Sequence, residues 1–434
     1  MVGPKFYGLR TLRRRLVGEY PLGLITGYLA VSVGVVSQIC LMPIYLANLG
    51  VETLGVLVLI LGLINYAAIG IYWLIGGLQR VFGETFSAKN NEGFVQALDV
   101  GKFIFIAYAV AAALTSVGIL IALGRSQILI AVSVVAGFVL VAIYESAVER
   151  LALTATGRLA ASNMLQVVQV GIYSVSVFFV LRAGGGLLSV FACQMASILV
   201  ARVVTPLCWQ GLRPLAQQRI PPLRPLLTRL TGRMGGGYLI YGALLLSTQS
   251  DVLVVGWLGG AEAAAQFVLL WKIAEVGVFA LWRIPESLAP FLVRLDAVGD
   301  TATIRRQYVR VGKLLLTMAI LGGLAYALLG PWITTLWLGA EHAPHNALGF
   351  ALAGSGILWM GLARLPSSLS YALARLRLWN SLSFIEVAAR LGLTVVLYPR
   401  FGYLSPLVAL NIVHICGIAV AYQWAGWRLI TKRV

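Results

Sequence analysis

Runs of about 20 apolar residues, each closed by a short polar connection, recur twelve times along the chain. They fall at 22–47, 54–78, 103–123, 128–148, 164–182, 187–208, 237–258, 264–292, 314–330, 347–370, 381–398 and 404–427. A helix of about 20 residues crosses the roughly 30 Å hydrocarbon core of a bilayer. Inside lipid the backbone must satisfy its own hydrogen bonds, so each run is predicted to be a helix. The pattern therefore predicts an all-α integral membrane protein with about 12 transmembrane helices. The longest outer connection it leaves is 331–346, and no separate soluble domain fits between the spans.

The connections alternate in charge. Of the 33 basic residues, only Arg125, Arg182 and Arg400 fall on outer connections. Only Arg202, Lys272, Arg283, Arg364 and Arg390 fall inside spans, and the other 25 mark the inner side. Basic loops stay in the cytoplasm, so both termini are expected there. This changes the meaning of the net charge of +18. In a soluble protein it would suggest nucleic acid. Here it reports topology and attraction to anionic lipid, and no nucleic-acid partner is expected. A composition of 60% hydrophobic and 11% charged residues agrees with lipid as the solvent.

Arg13, Arg14 and Arg15 precede the first run, which is too long for a signal peptide's apolar region and is read as a retained span. Cys40, Cys193, Cys208 and Cys416 lie in or at the ends of spans without metal-ligand spacing, and read as packing residues. No metal and no cofactor is implied. His342 and His345, with only Glu341 near, do not form a metal set, and His414 reads as a buried helix-to-helix hydrogen bond.

The chain also repeats itself. Leu49-Gly50-Val51-Glu52 opens the second span, and Leu258-Gly259-Gly260-Ala261-Glu262 opens the eighth. Gly101-Lys102 precedes the third and Gly312-Lys313 the ninth, while Gly157-Arg158 matches Ala374-Arg375. Six spans per half is an even number, so the halves are parallel repeats about an axis along the membrane normal. The expected organisation is a cytoplasmic N-terminus (1–21), a six-helix bundle (22–208), a basic cytoplasmic linker (209–236), a second six-helix bundle (237–428) and a tail (429–434). Two such bundles around a central cavity suit alternating access.

The turn Leu-Gly-x-Glu-x-x-Gly from Leu49 to Gly55 resembles that of the polysaccharide transporter family. So do Gln249-Ser250-Asp251-Val252-Leu253-Val254-Val255-Gly256-Trp257-Leu258-Gly259 and Pro285-Glu286-Ser287-Leu288-Ala289-Pro290-Phe291. The chain thus resembles Wzx-type O-antigen flippases, in the superfamily that also holds the MATE drug exporters and the lipid II flippases. The resemblance implies a bacterial cytoplasmic (inner) membrane protein. Its substrate would be undecaprenyl-pyrophosphate-linked oligosaccharide, turned from the cytoplasmic to the periplasmic leaflet beside the polysaccharide polymerase machinery. No enzymatic step is implied.

Such cargo needs a cationic, water-filled cavity, and charges inside spans are the residues to examine. Lys272, Glu275, Phe279, Trp282 or Arg283, and Glu286 recur at spacings of three and four along one helical face. Lys272 and Arg283 are candidates for the pyrophosphate, since an Arg fork donates two hydrogen bonds. The competing reading makes Lys272–Glu275 and Arg283–Glu286 self-neutralising pairs. Arg364 and Arg390 are the further headgroup candidates. Asp251 and Glu275 are candidates for ion coupling, with a structural role for Asp251 as partner of Lys272 or another basic residue as the alternative. Arg202 reads as a snorkelling residue. Arg150 is expected to offset Glu145 and Glu149. Gln38, Asn65 and Trp73 are the polar or aromatic candidates of the first half, and Gly235-Gly236-Gly237 is a hinge candidate.

Two other functions compete. A MATE-like cation-coupled exporter would favour an acidic or aromatic cavity. A membrane polymerase or glycosyltransferase would need a larger catalytic loop than 331–346 provides.

Overall fold

The computed structural model describes residues 7–67, 70–122, 127–208, 235–297, 299–373, 375 and 377–431. The basic linker over 209–234, Arg125 and Ala374 lie outside the described residues, as do the side chains of Trp73 and Gln249. The described chain is helical: α1 Tyr7–Ala67, α2 Tyr72–Ser87, α3 Asn91–Ala122, α4 Gln127–Ala155, α5 Leu159–Arg182 and α6 Leu187–Cys208 come first. They are followed by α7 Gly235–Ala297, α8 Thr301–Leu338, α9 Ala347–Ala372 and α10 Arg377–Phe401. A 3-10 turn (Gly402–Leu404), α11 (Ser405–Val413), a π-helical stretch (His414–Ile418) and α12 (Ala419–Thr431) complete it.

Nine helical stretches among the described residues are long and apolar enough to span a membrane. Three of them, at 25–65, 250–286 and 378–431, each reach into two of the predicted spans, and all twelve runs fall on helix among the described residues. Two of these doubled stretches reverse at single glycines. Gly50 has φ 76° and ψ 169°, and Gly260 has φ 81° and ψ −176°. That region of backbone space is essentially restricted to glycine. The two reversals stand 210 residues apart, at the repeated Leu-Gly turns. A further left-handed pair, Lys89 and Gly299, recurs at the same 210-residue offset.

Several helices run past the predicted bounds: α1 begins at Tyr7 rather than 22, α3 at Asn91 rather than 103, and α4 ends at Ala155 rather than 148. α8 begins at Thr301 rather than 314 and ends at Leu338 rather than 330. Its first turns were read as loop because they hold Arg305, Arg306, Arg310 and Lys313, yet Asp300 caps them by accepting the Thr303 N–H at 2.9 Å. At its other end Pro331 is tolerated as an internal residue, and the outer connection shrinks accordingly. The second predicted span divides, with α1 ending at Ala67 and α2 resuming at Tyr72.

The chain forms two compact units, Met1–Asn48 with Gly70–Gly235, and Leu49–Ile69 with Gly236–Val434. In the first, α1 and α5 are joined by polar contacts. Tyr45 and Tyr173 hydroxyls meet at 2.6 Å, Asn163 donates to the Gly23 carbonyl at 3.0 Å, and Ser37 meets Ser174. In lipid such side-chain bonds join helices where the hydrophobic effect cannot. In the second unit, Gly323 of α8 and Gly354 of α9 bring two backbones together, since a Cβ on Gly323 would sit 2.6 Å from the Gly354 carbonyl. Tyr326 donates to the Leu270 carbonyl at 2.5 Å and Trp282 Nε1 to that of Met360 at 2.9 Å. Segment 49–69 packs on α7. Gly55 lies against the Ala261 backbone, and a Cβ there would be 3.0 Å from the Ala261 Cα. The final glycine of the Leu-Gly-x-Glu-x-x-Gly turn is therefore a close-approach residue. Large apolar side chains such as Val203, Leu328 and Val420 are exposed, as a lipid-facing surface requires.

Candidate functional site

The second unit gathers most of the charged residues found inside spans. α7 contributes four of them in sequence, because its helical repeat turns Lys272, Glu275, Arg283 and Glu286 to neighbouring positions. Lys272 Nζ lies 2.8 Å from Glu275 Oε2, and Arg283 donates to Glu286 Oε2 at 2.8 Å. Both predicted i,i+3 pairs are thus formed. Arg364 of α9 joins the second pair, donating to Glu286 Oε1 at 2.5 Å. Its guanidinium also lies 4.9 Å from the centre of the Trp282 ring. Two guanidiniums share one carboxylate, so this group retains a net positive charge. Arg283 keeps 47% of its side chain exposed. The buried Nε of Arg364 has no hydrogen-bond partner among the described residues.

A second group is more deeply enclosed. Arg390 on α10 is 0% exposed. One of its nitrogens stands 3.4 Å from Asp251 Oδ2 and another 3.8 Å from Glu386 Oε1. Asp251 therefore has a basic partner, and it is Arg390 rather than Lys272. Tyr422 of α12 donates to Glu386, and its hydroxyl also reaches Ser383 at 3.5 Å. His414 bonds through Nδ1 to the Leu410 carbonyl of its own helix at 2.9 Å and turns Nε2 toward Glu386 at 3.9 Å. It sits at the start of the π-helical stretch, where Gly417 adopts φ 135°. Such stretches commonly mark functional positions. Trp359 stacks on His414 at 6.0 Å and Trp379 on Tyr422 at 4.2 Å. The group thus brings two carboxyl groups, one guanidinium and one imidazole together.

A small cleft lies within this unit. Asp251, Glu275, Trp271, Phe279, Trp282 and Met360 are among its lining. Lys272, Arg283, Arg364 and Arg390 are not, although Lys272, Arg364 and Arg390 bind or stack on its lining residues Glu275, Trp282 and Asp251. The wall is acidic and aromatic, with the cations one shell back. Among the described residues, no three His, Cys, Asp or Glu side chains stand close enough to hold a metal ion.

The first unit places its charges differently from the sequence reading. Glu145 and Glu149 are held by residues from other helices rather than by Arg150. Arg202 of α6 docks on Glu145 through two nitrogens, at 2.8 and 2.9 Å, and does not merely snorkel. Lys102 of α3 pairs with Glu149. Arg158 donates to the Cys208 carbonyl. Glu145, Glu149 and Arg202 line a small cleft.

Tyr422, Ser383, Trp359 and Asn411 did not emerge from the sequence. Trp359 Nε1 donates to Asn411 Oδ1 at 2.9 Å. The available signals were a lone Asn and a lone His in the most apolar helix of the chain, which together mark a polar seam.

No protein-family model and no curated protein matches the chain by sequence. Solved structures do match in shape. An inward-facing multidrug resistance MATE family transporter of the MOP superfamily superposes with a TM-score of 0.72 at 14% identity, covering 92% of this chain and 95% of that one. The chain has the MATE transporter fold. An outward-facing structure of such a transporter matches with a TM-score of 0.66 at 14% identity, covering 96% and 97%. A MOP superfamily transporter from Pyrococcus furiosus, described as having a binding pocket of reverse polarity, matches with a TM-score of 0.67 at 14% identity over 97% of both chains. The MATE fold holds twelve transmembrane helices in two bundles, in keeping with the predicted spans, and the chain is a multi-pass membrane protein.

Proposed function

We propose that the protein is a transporter that works by alternating access and carries undecaprenyl-pyrophosphate-linked oligosaccharide from the cytoplasmic to the periplasmic leaflet of a bacterial inner membrane. Fold-mates in inward- and outward-facing forms support the transport mode. The observation that carries the substrate class is the group Arg283–Glu286–Arg364. One carboxylate cannot neutralise two guanidiniums, and the Arg364 Nε keeps an unused donor. A pyrophosphate accepts hydrogen bonds from such forks in the planar geometry that Arg offers and Lys does not. Lys272 and Arg390 hold the neighbouring carboxylates, Glu275 and Asp251, which are the candidates for ion coupling. Trp282 supports Arg364 from one face and offers its aromatic surface to the cleft.

The test is surface polysaccharide in cells carrying Arg283→Ala, Arg364→Ala or both. Each single variant is expected to reduce it at normal protein abundance, and the double variant to abolish it. Full polysaccharide in all three would remove the headgroup role from these residues. One observation favours a second reading, a cation-coupled exporter: among the described residues the cleft wall carries Asp251 and Glu275 and no basic side chain. Export of an organic cation by proteoliposomes that fail to move lipid-linked oligosaccharide would select it.

A further inference from the structure

The exposed face of α8 changes character along its length. Arg306, Arg310 and Lys313 are exposed and stand at i, i+4 and i+7, which puts them on one face. The same face continues through Thr317, Ile320, Leu321, Leu324 and Leu328, all exposed. At 1.5 Å per residue the cations cover about 10 Å, and the exposed residues from Leu314 to Leu336 cover about 33 Å, close to one hydrocarbon thickness. The three cations therefore sit at headgroup depth above a lipid-facing apolar stripe.

These cations form no ion pair among the described residues. Asp300, just before the helix, has its carboxyl held below its usual range by the hydrogen bonds from Thr303 and, to a smaller extent, by Arg306. The stripe is thus short of negative charge from the protein itself. Beside it, two Trp side chains are fixed by Arg. Arg305 lies 5.1 Å from the Trp427 ring centre and Arg428 5.1 Å from that of Trp424. Both Trp residues are exposed at the end of α12, in the place that indole takes at a membrane interface.

We infer that α8 carries a binding site for an anionic phospholipid of the leaflet at its Thr301 end, with the phosphate held by Arg306, Arg310 and Lys313 and the acyl chains along Ile320–Leu328. The occupant is a bulk phospholipid, not the transported substrate, because the stripe faces outward on an exposed helix surface. The site does not depend on which cargo the transporter moves.

The test is native mass spectrometry of the full chain in detergent, titrated with phosphatidylglycerol or with phosphatidylcholine of the same acyl chains. Phosphatidylglycerol is expected to bind at least about tenfold more tightly. Arg306→Gln/Arg310→Gln/Lys313→Gln is expected to lose up to about a hundredfold, from roughly 1 kcal/mol for each cation near a charged lipid. Arg306→Lys/Arg310→Lys should keep the preference, which separates lost charge from lost fold. Equal binding of the two lipids by the unaltered chain would overturn the inference. So would a preference that survives the triple substitution, or displacement of the lipid by millimolar inorganic phosphate or by undecaprenyl pyrophosphate in preference to phosphatidylglycerol.

Discussion

Replacing Arg390 by Met removes the guanidinium while keeping most of its length. Arg390 is 0% exposed and stands 3.4 Å from Asp251 and 3.8 Å from Glu386. At an effective dielectric of about 20, each contact is worth roughly 4–5 kcal/mol of Coulomb attraction. Desolvation of the three ions offsets much of this, so the pair's net contribution is far smaller than its attraction. Removing one partner is different. It leaves Asp251 and Glu386 both buried and mutually repelling, and breaking a buried pair in this way costs about 3–5 kcal/mol. Asp251 Oδ1 already lacks a hydrogen-bond partner among the described residues, so nothing local takes the place of Arg390. The assay is unfolding of the purified full chain in one detergent, for Arg390→Met and for Arg390→Met/Asp251→Asn/Glu386→Gln. The single variant should be destabilised by that amount, and the triple variant should recover most of it because no charge is left to compensate. A single variant as stable as the parent, or a triple variant no better than the single, would refute the assignment of Arg390 as the counter-ion of both carboxylates.

Other expectations are equally direct. Gly50→Ala and Gly260→Ala should each cost about 1–3 kcal/mol of stability in the same unfolding assay, because both positions use glycine-only backbone. Gly55→Leu should be worse than Gly55→Ala, since the added atoms meet the Ala261 backbone and cannot rotate away from it. In a cysteine-free background, His342→Cys should react with an impermeant maleimide in intact cells and Gly299→Cys only after permeabilisation; the reverse pattern would invert the topology. Asp300 has a lowered carboxyl pKa, so its cap contributes stability above the ordinary carboxylate range and loses it as pH falls through the lower folded value. Asp300→Asn should remove that acid-side slope from the melting temperature of the chain.

The spans were readable because lipid imposes one demand on every helix, a continuous apolar length. The ends were not, because Arg305, Arg306, Arg310 and Lys313 are polar yet helical, and only the Asp300 cap signals where α8 begins. The Gly50 and Gly260 reversals were visible as repeated Leu-Gly turns, and their matching backbone angles explain the repetition. Pairs within one helix, Lys272–Glu275, Arg283–Glu286 and Glu386–Arg390, follow from spacing alone. Pairs between helices do not. Nothing in spacing joins Arg364 to Glu286, Asp251 to Arg390, Lys102 to Glu149 or Arg202 to Glu145, since helix rotation and tilt are set by packing. The same limit hid Tyr422, whose hydroxyl matters only because α12 turns it toward Glu386.

The most direct test of the account is lipid transfer itself. Purified chain reconstituted in vesicles with fluorescent undecaprenyl-pyrophosphate-linked oligosaccharide on one leaflet should move the headgroup to the other, as read by an impermeant quencher. Arg283→Ala/Arg364→Ala should stop the transfer while the protein remains folded and inserted. Transfer at the full rate by that double variant, or none by the unaltered chain in vesicles that do export an organic cation, would contradict the account.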